Sequence, residues 1–294
     1  MVETGISDVV RVNRLGTNGS TDITNKLGNI QSFSYNIDNA TEQYAGIGNE
    51  EKFAGIIDKC IDINGSIEMW IPNLLALQIF GTYNDDTHVI TWDKKLPEFD
   101  IETNANDEEK ITIEKCKFGS VTISVEDQEP ISVSADYVGL SFEKEAGSVS
   151  TSVNTDAPLQ GMDAEFYIGS NPIGKVSSGS ITFDREIEAG RGISGSSADE
   201  KRLFTYIIEK MKNITFDMDI IITDDTAWDL VSSADERENE DIQIITTQGD
   251  ISITARAGSL SVDKSSDGEL RIASVSGVGI DVTINNLDKA TGEE

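Results

Sequence analysis

Polar and apolar residues alternate along most of this chain, which is the pattern of strands with one buried and one exposed face. Phe33, Tyr35 and Ile37 show this period first, and residues 121–125 and 251–255 repeat it. Glycines and an Asp-Gly pair fall between such segments, as hairpin turns require. The pattern predicts a mainly β (α+β) fold.

Two segments depart from this alternation and show helical spacing. Residues 53–60 place apolar side chains at positions i, i+3, i+4 and i+7, and residues 203–211 repeat that stripe. Ser197 and Glu200 form a capping box ahead of the second stripe. The spacing predicts one flanking helix in each half of the chain, although the β-branched content of both stripes keeps a strand interpretation open. Two shorter helical runs are expected, at residues 73–80 and 225–232.

The two halves of the chain carry related sequence patterns. Residues 29–37 resemble residues 175–183 at a constant offset (175 − 29 = 146). After a short insertion, residues 53–59 resemble residues 204–210 at a new offset (204 − 53 = 151). We infer that the chain contains two copies of one β-rich unit, an arrangement that usually serves symmetry.

This duplication divides the chain into five parts. A polar N-terminal segment precedes the first copy, a segment rich in Ser, Thr, Gly and Pro separates the copies, and an acidic tail follows the second. The predicted parts are an arm or loop at 1–27, a β-sandwich or half-barrel domain at 28–145, a linker at 146–173, a second such domain at 174–287 and the tail at 288–294.

The charge of the chain restricts its partners. It has 53 acidic and 23 basic residues and a net charge of −30. Such a surface does not grip nucleic acid, because binding to phosphates needs Lys and Arg. Three interpretations of the acidity remain: a solvated acidic surface, a surface that repels DNA, and disorder. The repeated strand patterns argue against disorder. No apolar run reaches the length of a membrane span, so we expect no membrane anchor.

One glycine motif invites a nucleotide-binding interpretation. Gly190, Gly192 and Gly195 match the spacing GxGxxG between a predicted strand and a predicted helix. The preceding strand alternates polar and apolar residues, whereas a central strand of a parallel sheet is nearly all apolar. The first copy lacks the motif at the same place, so a glycine-rich loop is the better interpretation.

Other candidate sites are weak. The segment from Asp263 to Leu270 begins like a calcium-binding loop, but Ser274 stands where a bidentate Glu is needed. His88, the single histidine, has no nucleophile and orienting group in a motif around it. Cys60 and Cys116 are too few for a disulfide scaffold or a zinc site. We therefore expect no catalytic residues, no cofactor and no metal, and hence no enzyme.

The repeated unit resembles the major tail tube proteins of long-tailed bacteriophages and archaeal viruses. The resemblance lies in residues 174–184, the glycine loop that follows and residues 213–220, and it extends over about 28–142 and 174–284. It implies tail-tube-like β-sandwich domains, each with a flanking helix, in a structural virion protein. The fused pair fits a variant that forms trimeric, pseudo-hexameric rings; the acidity is also compatible with a halophilic host.

The resemblance further implies partners and contacts. Rings would stack into a tube that delivers viral DNA through an acidic lumen without binding it specifically, and the tube would join terminator, tape measure and baseplate proteins. The protein would be made in the host cytoplasm and reside in the virion tail. The family's stacking loop matches residues 38–50 and 185–202, so candidate contacts between rings are Tyr44, Ile47, Arg191 and Ile193. The alternative is a two-domain, acidic, β-rich surface or adhesin-like binding module.

Overall fold

The computed structural model describes residues 9–16, 19–45, 53–84, 86–92, 95–106, 108–150, 156–169, 171–190, 206–222, 240–247, 249–261 and 271–286. Strands dominate these residues, which confirms the predicted mainly β fold. The first ten are β1 Val10–Gly16, β2 Gly19–Asp22, β3 Asn29–Ala45, β4 Phe53–Trp70, β5 Thr82–Asn84, β6 Val89–Thr91, β7 Phe99–Asn106, β8 Glu109–Glu126, β9 Ser132–Gly139 and β10 Ser141–Ala146. The others are β11 Glu165–Ile168, β12 Asn171–Gly190, β13 Tyr206–Ile222, β14 Glu240–Thr246, β15 Gly249–Ser261 and β16 Arg271–Asn286.

Helical structure in the described residues is short. The α-helix α1 covers Thr24–Leu27, and 3₁₀ helices cover Leu74–Ile79 and Gly161–Asp163. The side chain of Asn73 accepts a hydrogen bond from the Leu75 N–H at 2.9 Å and so caps the longer 3₁₀ helix. This helix confirms the helical run expected at residues 73–80. The run expected at residues 225–232 lies outside the described residues.

Eight strands form one continuous antiparallel sheet, in the order β3-β4-β9-β8-β12-β13-β16-β15. The middle step, β8 to β12, joins the two halves of the sequence and pairs residues 120–126 with residues 178–184. We call β3, β4, β9 and β8 the first strand set, and β12, β13, β16 and β15 the second strand set.

The two strand sets share one order and the same irregularities. The register between β3 and β4 shifts between Asn39 and Thr41, and the register between β12 and β13 shifts between Arg185 and Ile187. These positions differ by the sequence offset of 146. A second pair of bulges skips Gly119 in β8 and Gly258 in β15. Because a bulge bends and twists its strand, equal bulges give both sets the same local geometry.

A second layer of strands covers the apolar face of this sheet. In the first half it contains β2, β1 and β7, which continue onto the start of β8 and from there to β10, and in the second half it contains β11 and β14. β8 belongs to both layers, because residues 109–116 pair with β7 while residues 120–126 pair with β12. Lys115 has φ 52° at the change of layer, where the strand bends. Long strands that pass from one layer to the other thus close a sandwich.

The hydrophobic core runs through both halves of the chain without a break. An aromatic group lies where they meet: the ring of Phe80, after the 3₁₀ helix, stacks on Phe183 of β12 with centroids 4.4 Å apart. Trp92 packs edge-on against Phe80 at 5.6 Å and against Phe183 at 5.3 Å. The first half therefore supplies two of the three rings and the second half supplies the third.

The structure corrects the predicted flanking helices. Residues 53–60 begin the strand β4, and the described part of the second stripe, from Tyr206, begins β13. In the first stripe, Ile56 and Ile57 pair with Gln43 and Glu42 of β3. β-branched residues favour an extended backbone when a partner strand supplies hydrogen bonds, and this long-range pairing overrides the local spacing. The predicted capping box lies outside the described residues.

Two segments expected to be irregular contain strands. The predicted arm at 1–27 contains β1, which pairs with β7 and buries Val10 and Val12. The predicted linker at 146–173 contains β11, which pairs with β12 and β14. Each strand has only two buried apolar residues at alternating positions, and the polar residues around them hid this pattern in the sequence. The division of the chain into domains stays a prediction.

The aromatic group predicts a stability effect. Phe183→Ala should lower the free energy of unfolding by about 3–5 kcal/mol, because it removes a fully buried ring and leaves a cavity between the two halves. Urea denaturation followed by tryptophan fluorescence measures this change. Met162→Ala removes an exposed side chain and should change the value by less than about 0.5 kcal/mol. Equal effects of the two substitutions would contradict the role of Phe183.

Candidate functional site

The eight-stranded sheet has one face that the rest of the described chain leaves largely uncovered. Every second residue of its strands points away from the core, and we call these positions the polar face. The positions are residues 32–38 of β3, 62–68 of β4, 132–138 of β9, 120–126 of β8, 178–184 of β12, 213–219 of β13 and 274–278 of β16, taken in steps of two.

The polar face is rich in hydroxyl groups and in negative charge. Most of its residues are Ser or Thr, and none of these positions holds a Lys or an Arg. Its carboxylates are Asp38, Asp62, Glu68, Asp136, Glu126, Asp184, Asp217 and Asp219. With no cation interspersed, the carboxylates create a negative potential over the whole face.

Hydrogen bonds between neighbouring strands order this face. The hydroxyl oxygens of Ser34 and Ser66 lie 2.8 Å apart, and the hydroxyl of Ser178 donates to Asp219 at 3.1 Å. Across the β8–β12 step, the hydroxyl oxygens of Thr122 and Thr182 lie 3.1 Å apart. These short, hydrogen-bonded side chains make a hydrophilic surface with few long side chains that could bind a ligand.

A charged cluster secures the step between the two strand sets, and we call it the junction cluster. The Nζ of Lys117 on β8 lies 2.6 Å from Oε1 of Glu209 on β13, and Nη1 of Arg185 on β12 lies 2.8 Å from Oε2. The backbone N–H of Leu96 also donates to Glu209, at 2.9 Å. The first strand set thus provides one cation, and the second set provides the acid and the other cation.

The environment of Glu209 favours its charged form. Burial acts to raise the pKa of this carboxyl group, but hydrogen bonds from Lys117, Leu96 and Arg185 outweigh it and hold the pKa below its usual value. The guanidinium carbon of Arg185 also lies 5.8 Å from the ring centroid of Trp92, a cation–π contact. The cluster therefore combines ion pairing with packing at the boundary of the two halves.

Three of the four sequence-predicted contact residues cannot be placed. Ile47, Arg191 and Ile193 lie outside the described residues. The backbone of Tyr44 belongs to β3 and pairs with Gly55, close to the end of β3 and the start of β4. The assignment of these four residues stays a prediction.

The other sequence candidates offer no chemistry in the described residues. His88 is exposed on a turn, where its Nδ1 lies 2.9 Å from the Tyr83 hydroxyl oxygen. Cys116 is a buried free thiol whose pKa is raised by burial. Only Gly190 of the glycine motif is described, and the calcium-like segment from Asp263 to Leu270 lies outside the described residues.

The described residues contain no group of three or more His, Cys, Asp or Glu side chains arranged to hold a metal ion. They also contain no helix long and apolar enough to cross a membrane.

Sequence reasoning missed both the polar face and the junction cluster. The polar face had a signal in the period-two repetition of small hydroxyl residues in segments such as 120–124 and 178–182. The junction cluster had no local signal, because Lys117, Arg185 and Glu209 are far apart in sequence and meet only through strand pairing.

Most of the chain matches a known protein family. A family model described as phage tail tube protein matches residues 70–285, which is 216 of the 294 residues (285 − 70 + 1). The matched region begins at the end of β4 and includes the β8–β12 step and the second strand set. No curated protein matches the chain.

The junction cluster predicts a pH-dependent contribution to stability. A carboxyl group whose pKa is lowered by folding stabilises the fold above its unfolded-state pKa and loses this contribution as the pH falls through its folded-state pKa. Glu209→Gln should therefore lower the free energy of unfolding by about 2–3 kcal/mol at pH 7. The difference from the wild type should shrink as the pH falls from about 5 to about 3 in urea titrations.

The matched control is Glu186→Gln, which removes an exposed carboxylate that pairs with Lys210 at the surface. Its effect should stay below about 1 kcal/mol at every pH. A constant difference between Glu209→Gln and the wild type across this pH range would show that the charge of Glu209 does not act as described.

Proposed function

Because the chain belongs to the phage tail tube protein family, we propose that it is the repeating subunit of the tail tube of a long-tailed virus. The family is structural, and we assign the chain no enzymatic activity. Its copies assemble with one another into rings, and the rings stack into a tube within the virion tail. Its host is a bacterium or an archaeon.

The β8–β12 step carries this proposal. It joins the second strand set to the first by regular antiparallel pairing over residues 120–126 and 178–184. Among the described residues, β3 pairs only with β4, and β15 beyond Ala255 pairs only with β16. The sheet therefore ends in two unpaired edges equivalent to the two edges that meet inside the chain. Unpaired edges bind further strands, and a repeated rotation closes a ring.

Three chains give the closed ring. If each strand set corresponds to one sixth of a turn, then three chains supply 24 strands (3 × 8). With a strand spacing of about 4.8 Å and a tilt of about 40°, the backbone cylinder has a diameter of roughly 45–50 Å. Such a cylinder leaves a bore wide enough for duplex DNA. The ring is then a trimer with pseudo-sixfold symmetry, made from two fused tube domains per chain.

The polar face lines the bore in this arrangement. The opposite face of the sheet packs against the second layer, whose bulk fits outside a closed ring and not inside it. Carboxylates such as Asp136 and Asp217 then face the phosphates of the genome, and like charges repel. The DNA is held away from the wall and slides during delivery without specific binding.

Contacts along the tube axis use other parts of the chain. We assign Tyr44, Ile47, Arg191 and Ile193, which lie in the sequence at the β3–β4 and β12–β13 connections, to contacts between stacked rings. Terminator, tape measure and baseplate proteins contact the tube at its ends and in its bore. The subunit is made in the host cytoplasm before it joins the virion.

Assembly tests the proposal directly. Purified chains at high concentration should form particles of about 96 kDa (3 × 31.9 kDa) and stacked tubes. Salt should promote assembly because it screens repulsion between chains of net charge −30. Mass photometry and negative-stain microscopy measure both products. A chain that stays monomeric at every salt concentration would refute the proposal and favour a two-domain binding module.

The lining of the bore predicts a gain of DNA binding. Tubes of the double variant Asp136→Lys and Asp217→Lys should retain short linear duplex DNA in a sedimentation assay, and retention should fall as salt rises. The control carries the same charge change at Glu143→Lys and Glu145→Lys, exposed positions of β10 in the other layer. Equal retention by the two variants would contradict the assignment of the polar face to the bore.

A further inference from the structure

The pairing inside the chain specifies a register that another pair of strands can repeat. Between β8 and β12, Ser120 lies opposite Asp184 and Thr122 lies opposite Thr182. The β12–β13 hairpin continues past this point and approaches β8 closely. A Cβ atom on Gly119 would lie only 2.6 Å from Cγ1 of Ile187, so the lack of a side chain at Gly119 makes room for the hairpin.

Shared bulges and registers align the second strand set with the first, residue by residue. β9 and β16 align at Gly139 and Gly279, because these residues pair with Ile63 and Ile214, which are equivalent. β8 and β15 then align at the bulge, so that Ser261 of β15 holds the position of Thr122. The 146-residue offset likewise places Asn36 of β3 at the position of Thr182.

We propose that β15 of one chain pairs with β3 of the next chain in the register of the internal step, with Ser261 opposite Asn36 and Ser259 opposite Asp38. This inference rests on the proposed ring. The partner is a second copy of the chain. Its β3–β4 hairpin lies over the ends of β15 and β16 of the first copy and holds the two chains together. Each ring then contains internal and inter-chain junctions of one geometry.

The exposure of apolar residues supports this partner. Leu140 in the first half is only 8% exposed, whereas Ile280 at the equivalent position is 56% exposed. Val138 is partly buried and lines the same cavity as Ile187, whereas Val278 at the equivalent position is 51% exposed. The hairpin of the second half therefore lies beside the first half, where Ile187 also approaches Gly119. A hairpin from another chain supplies the missing cover for β16.

The charges at the register positions are complementary as well. Arg256 of β15 aligns with Lys117, since they pair with the equivalent residues Val278 and Val138. Asp58 of β4 aligns with Glu209 by the 151-residue offset. A cation on one chain and an acid on the next therefore occupy the positions of the internal ion pair. Charge complementarity across an edge fixes the register and disfavours wrong partners.

Cysteine cross-linking tests the register. Ser261→Cys and Asn36→Cys are combined in a chain that carries Cys60→Ser, while Cys116 stays because it is buried. The two new cysteines lie at opposite edges of an eight-stranded sheet, roughly 34 Å apart at about 4.8 Å per strand, so they cannot bridge within one chain. After oxidation of assembled protein, we expect covalent dimers and trimers on a non-reducing gel, reversed by reductant.

Two control variants calibrate this result. Thr122→Cys with Thr182→Cys should form the internal bond and leave the chain monomeric on the gel, which shows that the register geometry permits a disulfide. Ser261→Cys with Ser34→Cys moves one cysteine by two residues, about 6.8 Å along the strand, and should not cross-link efficiently. If rings form but the Ser261–Asn36 pair gives no more cross-linking than this control, the register is refuted and the ring stands. If unmodified chains never assemble, the proposed function itself is refuted.

A surface variant tests the cover over β16. Val278→Asp should raise the concentration needed for assembly by on the order of tenfold or more, because a charge would be buried under the neighbouring hairpin. Met162→Asp places the same charge on an equally exposed apolar residue outside the junction and should assemble like the wild type. Circular dichroism checks that both variants fold. Equal assembly of the two folded variants would overturn the proposed contact.

Discussion

The backbone hydrogen bonds between β8 and β12 are the interaction on which the rest of this structure depends. A strand edge in water must be paired, covered or blunted, because its free N–H and C=O groups bind other strands. Inside the chain, residues 120–126 and 178–184 satisfy one another in this way. The same chemistry leaves β3 and β15 with edges of equal geometry. The strand pairing inside the chain is therefore a template for contacts between copies of the chain.

Electrostatics sets the conditions under which that template acts. A chain of net charge −30 repels its own copies, so edge pairing must compete with long-range repulsion. The junction cluster concentrates two of the few cations, Lys117 and Arg185, where the strand sets meet. The polar face carries none at its described positions. Cations therefore lie at the junction between the strand sets, and the described positions of the surface that we assign to the bore have none.

The alternation of polar and apolar residues was sufficient to predict the strands that hold the site. Val121, Ile123 and Val125 of β8 are buried, as their period of two requires. The stripe at residues 53–60 was misleading because its apolar residues, two of them β-branched, fit either a helix or a strand. Only pairing with the partner strand β3 decides between the two. The partners of Glu209 could not be predicted, because strand pairing brings them together from distant parts of the sequence.

Fusion of two strand sets in one chain changes how a ring closes. In the proposed trimeric ring, half of the six junctions form during folding of single chains, at the high effective concentration that a covalent connection provides. The remaining three must form between separate molecules that repel one another. Internal junctions hold two cations around Glu209, whereas the positions equivalent to Lys117, Arg185 and Glu209 at the outer junction are Arg256, Asn39 and Asp58. Arg256 is a cation like Lys117 and Asp58 is an acid like Glu209, so both kinds of junction place a cation opposite an acid, and the charge pattern repeats together with the strand register around the proposed ring.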